Sequence, residues 1–267
     1  MAFENKLKKK LLAREAGIGC WLSTGSPIAA EIVANAGYDA VVIDHEHGPG
    51  DFLNAIATMQ ACGEVGPTPM IRVPWNDMVY IKRALDIGMM GILVPYIQTA
   101  KEAKAAVDAC HYPLKGMRGV APHAGRCSRW GQRLDEYMAS WPEQLLLMLQ
   151  IETAEGVENI EEIAAIEGVD MLFLGPSDLS ASIGKIGKVG DPEAVALIEK
   201  AEAKMRKTGK LMGTVTRPGK SVNWTFEQGY DFVIAGSDFR LLQQSAVAQV
   251  SSFRSEPPKP AGRRVAR

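Results

Sequence analysis

The sequence predicts a parallel (β/α)8 barrel. Eight short apolar runs alternate with segments whose apolar residues recur near every 3.6 positions, the signature of strands alternating with crossover helices. A length of 267 residues suits a single barrel domain. The chemically capable side chains gather where the apolar runs end, which in a barrel is the edge that carries the chemistry. An open doubly wound sheet is the alternative. It would need a glycine-rich first turn for a dinucleotide, and the first turn here reads Leu22-Ser23-Thr24-Gly25-Ser26-Pro27.

Asn5 to Ala16, with Lys8, Lys9 and Lys10, reads as a short amphipathic surface helix without the apolar core of a signal peptide. The strands follow as Ile18–Leu22, Ala40–Asp44, Pro69–Val73, Gly91–Pro95, Leu145–Glu152, Met171–Gly175, Leu211–Val215 and Phe232–Ala235. Their β-branched and leucine-rich composition fits strands buried on both faces. Helical spacing is found over Pro27–Ala36, Asp51–Ala61, Met78–Ile87, Thr99–Ala109, Glu158–Ile166, Pro192–Thr208 and Ser221–Gln228. One connection, Cys110 to Gln144, is too long for a plain link, and such a span either carries function or packs on a partner. Gly184, Gly187 and Gly190 lack the P-loop pattern and read as a flexible loop. Asp238 to Phe253 makes a last amphipathic helix with no further strand of one barrel to cover. The Pro- and Arg-rich remainder, 254–267, is expected to be disordered, so the domain is placed at 1–253.

The bulk composition excludes several function classes. Hydrophobic residues make up 46% of the chain, enough for a large core, and 30 basic against 31 acidic residues give no electrostatic case for nucleic acid or an anionic membrane. No apolar run is long enough to span a bilayer. The four cysteines, Cys20, Cys62, Cys110 and Cys127, form no C-x-x-C pair, which leads us to expect reduced thiols and a cytoplasmic location.

The second strand runs straight into Asp44-His45-Glu46-His47-Gly48-Pro49, placing two imidazoles and two carboxylates where a core strand breaks. His47 is the best general base, with Asp44 able to orient it. Arg72, inside the third apolar strand, must find an anion. Glu152 closes the most apolar strand of the chain, and a carboxylate there needs a partner that a divalent cation would supply. Asp178, just past the sixth strand, would complete a two-carboxylate Mg²⁺ or Mn²⁺ site with open positions. Ser177 and Asp178 could also cap a helix that starts there, whose free N–H groups would bind a carboxylate. A zinc hydrolase using His45 and His47 would need further histidines, and His111 and His123 both lie in the long connection.

Six stretches together resemble the HpcH/HpaI aldolase family, the metal-dependent class II pyruvate aldolases. They are Asp44-His45-Glu46-His47, Arg72-Val73-Pro74-Trp75-Asn76-Asp77, Leu93-Val94-Pro95, Arg118-Gly119, Gln150-Ile151-Glu152-Thr153 and Gly175-Pro176-Ser177-Asp178-Leu179-Ser180. The resemblance covers about Ile18 to Phe253. It implies reversible cleavage of 4-hydroxy-2-oxo acids to pyruvate, or a related 2-oxo acid, plus an aldehyde, through a metal-stabilised enolate. It implies that Glu152 and Asp178 ligate Mg²⁺, Mn²⁺ or Co²⁺, that His47 in a dyad with Asp44 moves protons, and that Arg72 meets the keto oxygen. Gly175 and Ser177 would hold the carboxylate, while Gln150, Trp21 and Val215 line the pocket. It further implies a trimer-of-dimers hexamer that exchanges its last helix, with Asp86 at a subunit interface. Two features depart from the family pattern: His45, where a small residue is usual, and the polar stretch Gly213-Thr214-Val215-Thr216-Arg217-Pro218 by the aldehyde pocket. A related family of CoA-thioester lyases on the same barrel is the competing reading.

Overall fold

The computed structural model describes residues 3–63 and 66–255. Helix α1 (Lys6–Leu12) leads into β1 (Gly17–Leu22), α2 (Pro27–Ala34), β2 (Ala40–Asp44), α3 (Phe52–Cys62), β3 (Thr68–Arg72), α4 (Met78–Asp86), β4 (Gly91–Val94) and α5 (Ala100–Cys110). After two 3-10 turns come α6 (Leu134–Gln144), β5 (Leu146–Ile151), α7 (Ala154–Glu158), α8 (Ile160–Ala164), β6 (Met171–Leu174), α9 (Pro176–Ser182) and α10 (Pro192–Thr208). The chain closes with β7 (Leu211–Val215), α11 (Val222–Glu227), β8 (Phe232–Ser237) and α12 (Asp238–Ser255). The eight strands form one closed barrel in sequence order, each parallel to its neighbours. This is the (β/α)8 architecture that the alternating pattern predicts.

Strand alternation divides the core in two. Val41 and Ile43 face the helices in one apolar cluster, while Ala40 and Val42 face inward with Met70, Leu146, Met148, Phe173 and Phe232 in the other. Successive side chains on a strand point to opposite faces, so the same parity carries Asp44, Arg72 and Gln150 into the barrel mouth. Glycines give the large inner side chains room. A Cβ on Gly19 would stand 2.7 Å from the Phe232 ring, and one on Gly213 would stand 2.6 Å from the Phe173 ring.

Three elements differ from the sequence reading. Helix α1 is amphipathic with Lys6 and Lys9 exposed, as expected, but its apolar face does more than cover the surface. Leu7 and Leu11, one turn apart, join the inner cluster and stop the N-terminal end of the barrel, where Gly17 leaves room for Leu7. The helix expected over Glu158–Ile166 is broken at Asn159, whose side-chain amide donates to the Gln98 carbonyl at 2.8 Å. Helix α12 takes in Arg254 and Ser255, and the rest of the expected tail, 256–267, lies outside the described residues. Among the described residues no helix is long and apolar enough to cross a membrane. All four cysteines are buried and unpaired with one another.

Candidate active site

The C-terminal mouth of the barrel collects the ends of β2, β3 and β5 and the first residues after β6. Strand register sets Asp44 opposite Arg72. Both are buried, and the guanidinium forks onto the carboxylate, Nε to Oδ1 at 2.9 Å and Nη2 to Oδ2 at 2.8 Å. The third edge of Arg72, Nη1, stands 3.0 Å from Glu46 Oε2, and its carbon centre lies 4.4 Å from the centroid of the Trp21 ring. Burial alone would push the Asp44 carboxyl up, but the Arg72 hydrogen bonds and charge hold it below its ordinary value.

Past Asp44 the chain leaves the strand and turns. The backbone N–H groups of Glu46 and His47 donate to Asp44 Oδ1 at 3.1 and 3.3 Å, an Asx-type turn that ends the side-chain alternation. His45 is thereby sent away from the mouth. Its ring meets Phe52 edge-on, with centroids 5.6 Å apart, and burial lowers its pKa. His47 is exposed, its side chain 64% accessible, with Nε2 3.8 Å from Glu46 Oε2. The expected Asp44–His47 side-chain dyad is therefore corrected. Arg72 takes both Asp44 oxygens, because a buried guanidinium needs that fork, and Asp44 holds His47 only through its backbone. The two histidines have different surroundings, which removes the basis for a His45/His47 zinc site.

Glu152 is 2% exposed. Its Oε1 accepts the Tyr96 N–H at 2.7 Å, and its Oε2 accepts from the Gln150 side-chain amide. Burial pushes its carboxyl up to about 7, the nearby Glu46 charge adds to the rise, and Asp178 contributes as well. Burial likewise raises Glu46, with Asp44 and Asp178 acting in the same direction against Arg72. The carboxylates of Glu46, Glu152 and Asp178 thus feel one another, while the nearest guanidinium is already shared between Asp44 and Glu46.

Helix α9 begins at Pro176 with Gly175 as its N-cap and no side-chain capping bond. Ser177 and Asp178 consequently fall in the exposed first turn and do not cap it, contrary to one of the expectations from sequence. A carboxylate in a first helical turn is still favoured by the helix dipole. Gly175 is required for space, since a Cβ there would come within 2.8 Å of Glu152 Oε2 and 3.0 Å of Gln150 Nε2. The excess of negative charge, the buried Glu152 and a Gln150 Oε1 without a hydrogen-bond partner among the described residues all fit a hard divalent cation at this spot. Among the described residues no three His, Cys, Asp or Glu side chains gather at metal-ligand spacing, so Glu152 and Asp178 would act as a pair and leave other positions to water and substrate.

Trp21 and Val215 flank the mouth from β1 and β7, each partly buried against the inner cluster. Asp86 does not reach it. That residue ends α4 at the opposite edge of the barrel, 2.7 Å from the fully buried Arg118, which also donates to the Tyr137 hydroxyl at 3.0 Å. Glu46 and Tyr96 also belong to the site, beyond the residues that the sequence singles out. Glu46 lies within Asp44-His45-Glu46-His47 and has the parity of Asp44, so the sequence carries a signal for it. Tyr96 contributes a backbone N–H, which leaves no side-chain trace in a sequence.

A family model described as HpcH/HpaI aldolase/citrate lyase matches residues 17–245, from the first strand into the last helix. The chain belongs to the HpcH/HpaI aldolase/citrate lyase family. As a member of it, the chain is a carbon–carbon lyase. A hydroxypyruvate/pyruvate aldolase of Pseudomonas aeruginosa is 39% identical over 256 residues, 96% of this chain and 95% of its own. A 4-hydroxy-2-oxo-heptane-1,7-dioate aldolase of Escherichia coli is 39% identical over 253 residues, 95% of this chain and 96% of its own. The crystal structure of an HpcH/HpaI family protein from Burkholderia cenocepacia J2315 is similar with a TM-score of 0.88 at 33% identity, covering 94% of this chain and 99% of that one.

Proposed function

We propose that this HpcH/HpaI family member cleaves 4-hydroxy-2-oxo acids reversibly to pyruvate, or a related 2-oxo acid, and an aldehyde, with Mg²⁺, Mn²⁺ or Co²⁺ held by Glu152 and Asp178. The observation that carries the reading is Glu152. It is an almost fully buried carboxylate, beside two further acidic side chains, with no ion pair to a basic side chain among the described residues. A bound divalent ion would supply Lewis-acid polarisation of the 2-oxo acid.

The chain's own residues supply the rest. Arg72 keeps one guanidinium face over Trp21 and its other edges on Asp44 and Glu46, so its charge is fixed before substrate arrives and can offset charge developing on the keto oxygen. His47 is free to reach an aldol hydroxyl and carry its proton, with Glu46 rather than Asp44 beside its ring. Ser177, in the first turn of α9, offers its backbone N–H to the substrate carboxylate; the Gly175 N–H is held by the Ile151 carbonyl at 3.0 Å, so Gly175 serves that carboxylate by leaving room for it, and Gln150, Trp21 and Val215 bound the pocket. No lysine occurs in any of the eight strands, which disfavours a Schiff-base route. Assembly into a hexamer is part of the proposal. The apolar Phe239, Leu242, Val247 and Phe253 of α12 are exposed and would be covered if that helix were exchanged between copies, with Asp86 near a subunit contact.

The test is release of pyruvate from a panel of 4-hydroxy-2-oxo acids, before and after exhaustive chelation and with each metal restored. Turnover that survives chelation, with borohydride trapping a pyruvate adduct, overturns the reading. Turnover of acyl-CoA substrates in place of the hydroxy acids transfers the chain to the competing thioester lyases.

A further inference from the structure

Tyr96 stands just past β4, and its backbone lies in the left-handed region, with φ at 58°. A tyrosine seldom adopts that conformation, because its Cβ crowds the following carbonyl, and it stays there only where its surroundings hold it. The neighbouring positions are already committed. β4 ends at Val94, Pro95 has no N–H, and the Ile97 N–H is taken by the Gln150 carbonyl at 3.1 Å. Between them the Tyr96 N–H turns to the buried Glu152 and donates to Oε1 at 2.7 Å.

The chain beyond Tyr96 is pinned by bonds of its own. The Gln98 and Thr99 N–H groups donate to Glu102 Oε2 at 2.8 and 3.0 Å, in the capping box that starts α5. The Gln98 side-chain oxygen accepts from Thr153 Oγ1 at 3.0 Å. These bonds fix the chain around Gln98 and do not touch the Tyr96 side chain. That side chain has a different partner. Its ring stacks on the Trp75 ring, with centroids 5.5 Å apart and planes 28° apart. Trp75 lies in the loop after β3, and the side-chain amide of its neighbour Asn76 donates to the Glu102 carbonyl at 3.0 Å, so both loops share an anchor at the start of α5. Trp75 is 52% and Tyr96 42% exposed, so core burial does not account for the pair.

We infer that Trp75 is a positioning residue for Glu152. Its ring holds Tyr96 in the left-handed conformation. That conformation keeps the Tyr96 N–H on Oε1, and the carboxylate then meets an incoming ion in one orientation. Trp75 has this role only if Glu152 is the metal ligand proposed above. Outer hydrogen bonds of this kind orient ligating carboxylates, and their loss weakens metal binding. The influence crosses the barrel rim, from the loop after β3, through the loop after β4, to the end of β5.

Two readouts separate this role from a general loosening of the mouth. The first needs no metal: amide hydrogen exchange in EDTA, resolved to single residues. Trp75→Ala should quicken exchange of the Tyr96 amide about three- to tenfold, the range a stacked ring pair supports, and leave the Gln98 amide within about twofold of the parent. The second is Mn²⁺ binding by calorimetry, which should weaken by about the same factor. Trp75→Phe keeps a ring for Tyr96 to stack on and should recover most of both losses. Tyr96→Gly enters the left-handed region freely but is not held there, so it should match Trp75→Ala, and the double variant should be no weaker than either single one. Trp75 is half-exposed, so Trp75→Ala should keep its fold by circular dichroism. An unchanged Tyr96 amide, equal quickening at Tyr96 and Gln98, no recovery in Trp75→Phe, or additive losses in the double variant overturns the inference. A parent that binds no Mn²⁺ defeats the metal reading of Glu152 and takes the role of Trp75 with it. A parent that binds Mn²⁺ no better than Trp75→Ala does defeats the role of Trp75 alone.

Discussion

Replacing Glu152 by glutamine removes one charge and almost no volume. In the metal-free protein, burial lifts the Glu152 carboxyl from its ordinary 4.5 to about 7. The folded chain therefore keeps a proton that the unfolded chain has lost, over the window between those two values. Stability must fall as pH rises through that window and level off above it, because the unfolded state binds fewer protons there. The difference of about 2.5 in pKa, at 1.36 kcal/mol each, makes the ionised carboxylate cost about 3 kcal/mol. Part of that cost is already present at pH 5, so the parent should lose about 2 to 3 kcal/mol relative to Glu152→Gln between pH 5 and pH 8. Urea unfolding of both proteins in EDTA, at matched protein concentration across that range, measures the difference directly. Adding Mg²⁺ or Mn²⁺ at pH 8 should restore the parent and leave the variant unmoved. Parallel stability curves for the two proteins in EDTA would refute the claim that Glu152 is a buried charge awaiting a cation.

His47→Ala should fold with unchanged thermal stability, since the side chain is exposed, while kcat falls by about a hundredfold or more and metal affinity stays the same by calorimetry. Arg72→Lys keeps the charge but loses the fork on Asp44, so unfolding free energy should drop by about 1 to 3 kcal/mol and kcat/KM should fall with it. Gly175→Ala forces a Cβ against Glu152 and Gln150, and titration should show metal affinity weakened by about tenfold or more with little change in fold by circular dichroism. Leu242→Glu combined with Val247→Glu, on the exposed face of α12, should reduce the sedimenting mass if that helix is exchanged between copies.

Much of this molecule is legible from its chain because strand parity is a strong, local signal. The apolar runs around Val42, Met70 and Met148 give both the strand and the face. From the face it follows that Asp44, Arg72 and Gln150 point into the mouth. Legibility fails where the strand stops. His45 and His47 differ by two positions and would share a face on a strand, yet the Asx-type turn at Asp44 sends the first against Phe52 and the second into solvent. The pairing of Asp44 with Arg72 depends on a register between strands that are 28 residues apart, which periodicity does not specify. Helix α1 misleads for another reason. Two leucines beside three lysines look the same on a surface helix as on one that stops a barrel, and only the space left at Gly17 tells them apart.

The alternation that packs the barrel also explains why the site is negative. The inward positions just below the mouth are apolar, Val42 on β2, Met70 on β3 and Met148 on β5, and the next inward position on each strand is Asp44, Arg72 or Gln150, so the transition from core to chemistry is an abrupt step. A charge placed on that step is nearly as buried as the apolar residue beneath it: Asp44 is 5%, Arg72 8% and Glu152 2% exposed. Buried charges persist only when paired, and register supplies one pair, Asp44 with Arg72. Strand β5 has no such gift. Its neighbour β4 ends in Val94, and among the described residues the chain beyond it offers Glu152 the Tyr96 N–H and no cation, while β6 leads to Gly175 and then to another carboxylate. Among the described residues no basic side chain pairs with Glu152, which is why we propose a divalent, oxygen-preferring cation as its partner above the pH at which the carboxyl loses its proton. The pH-dependent instability expected from the buried Glu152 carboxylate is therefore free energy that a bound divalent cation would recover, and the Glu152→Gln comparison reads it from the unliganded side.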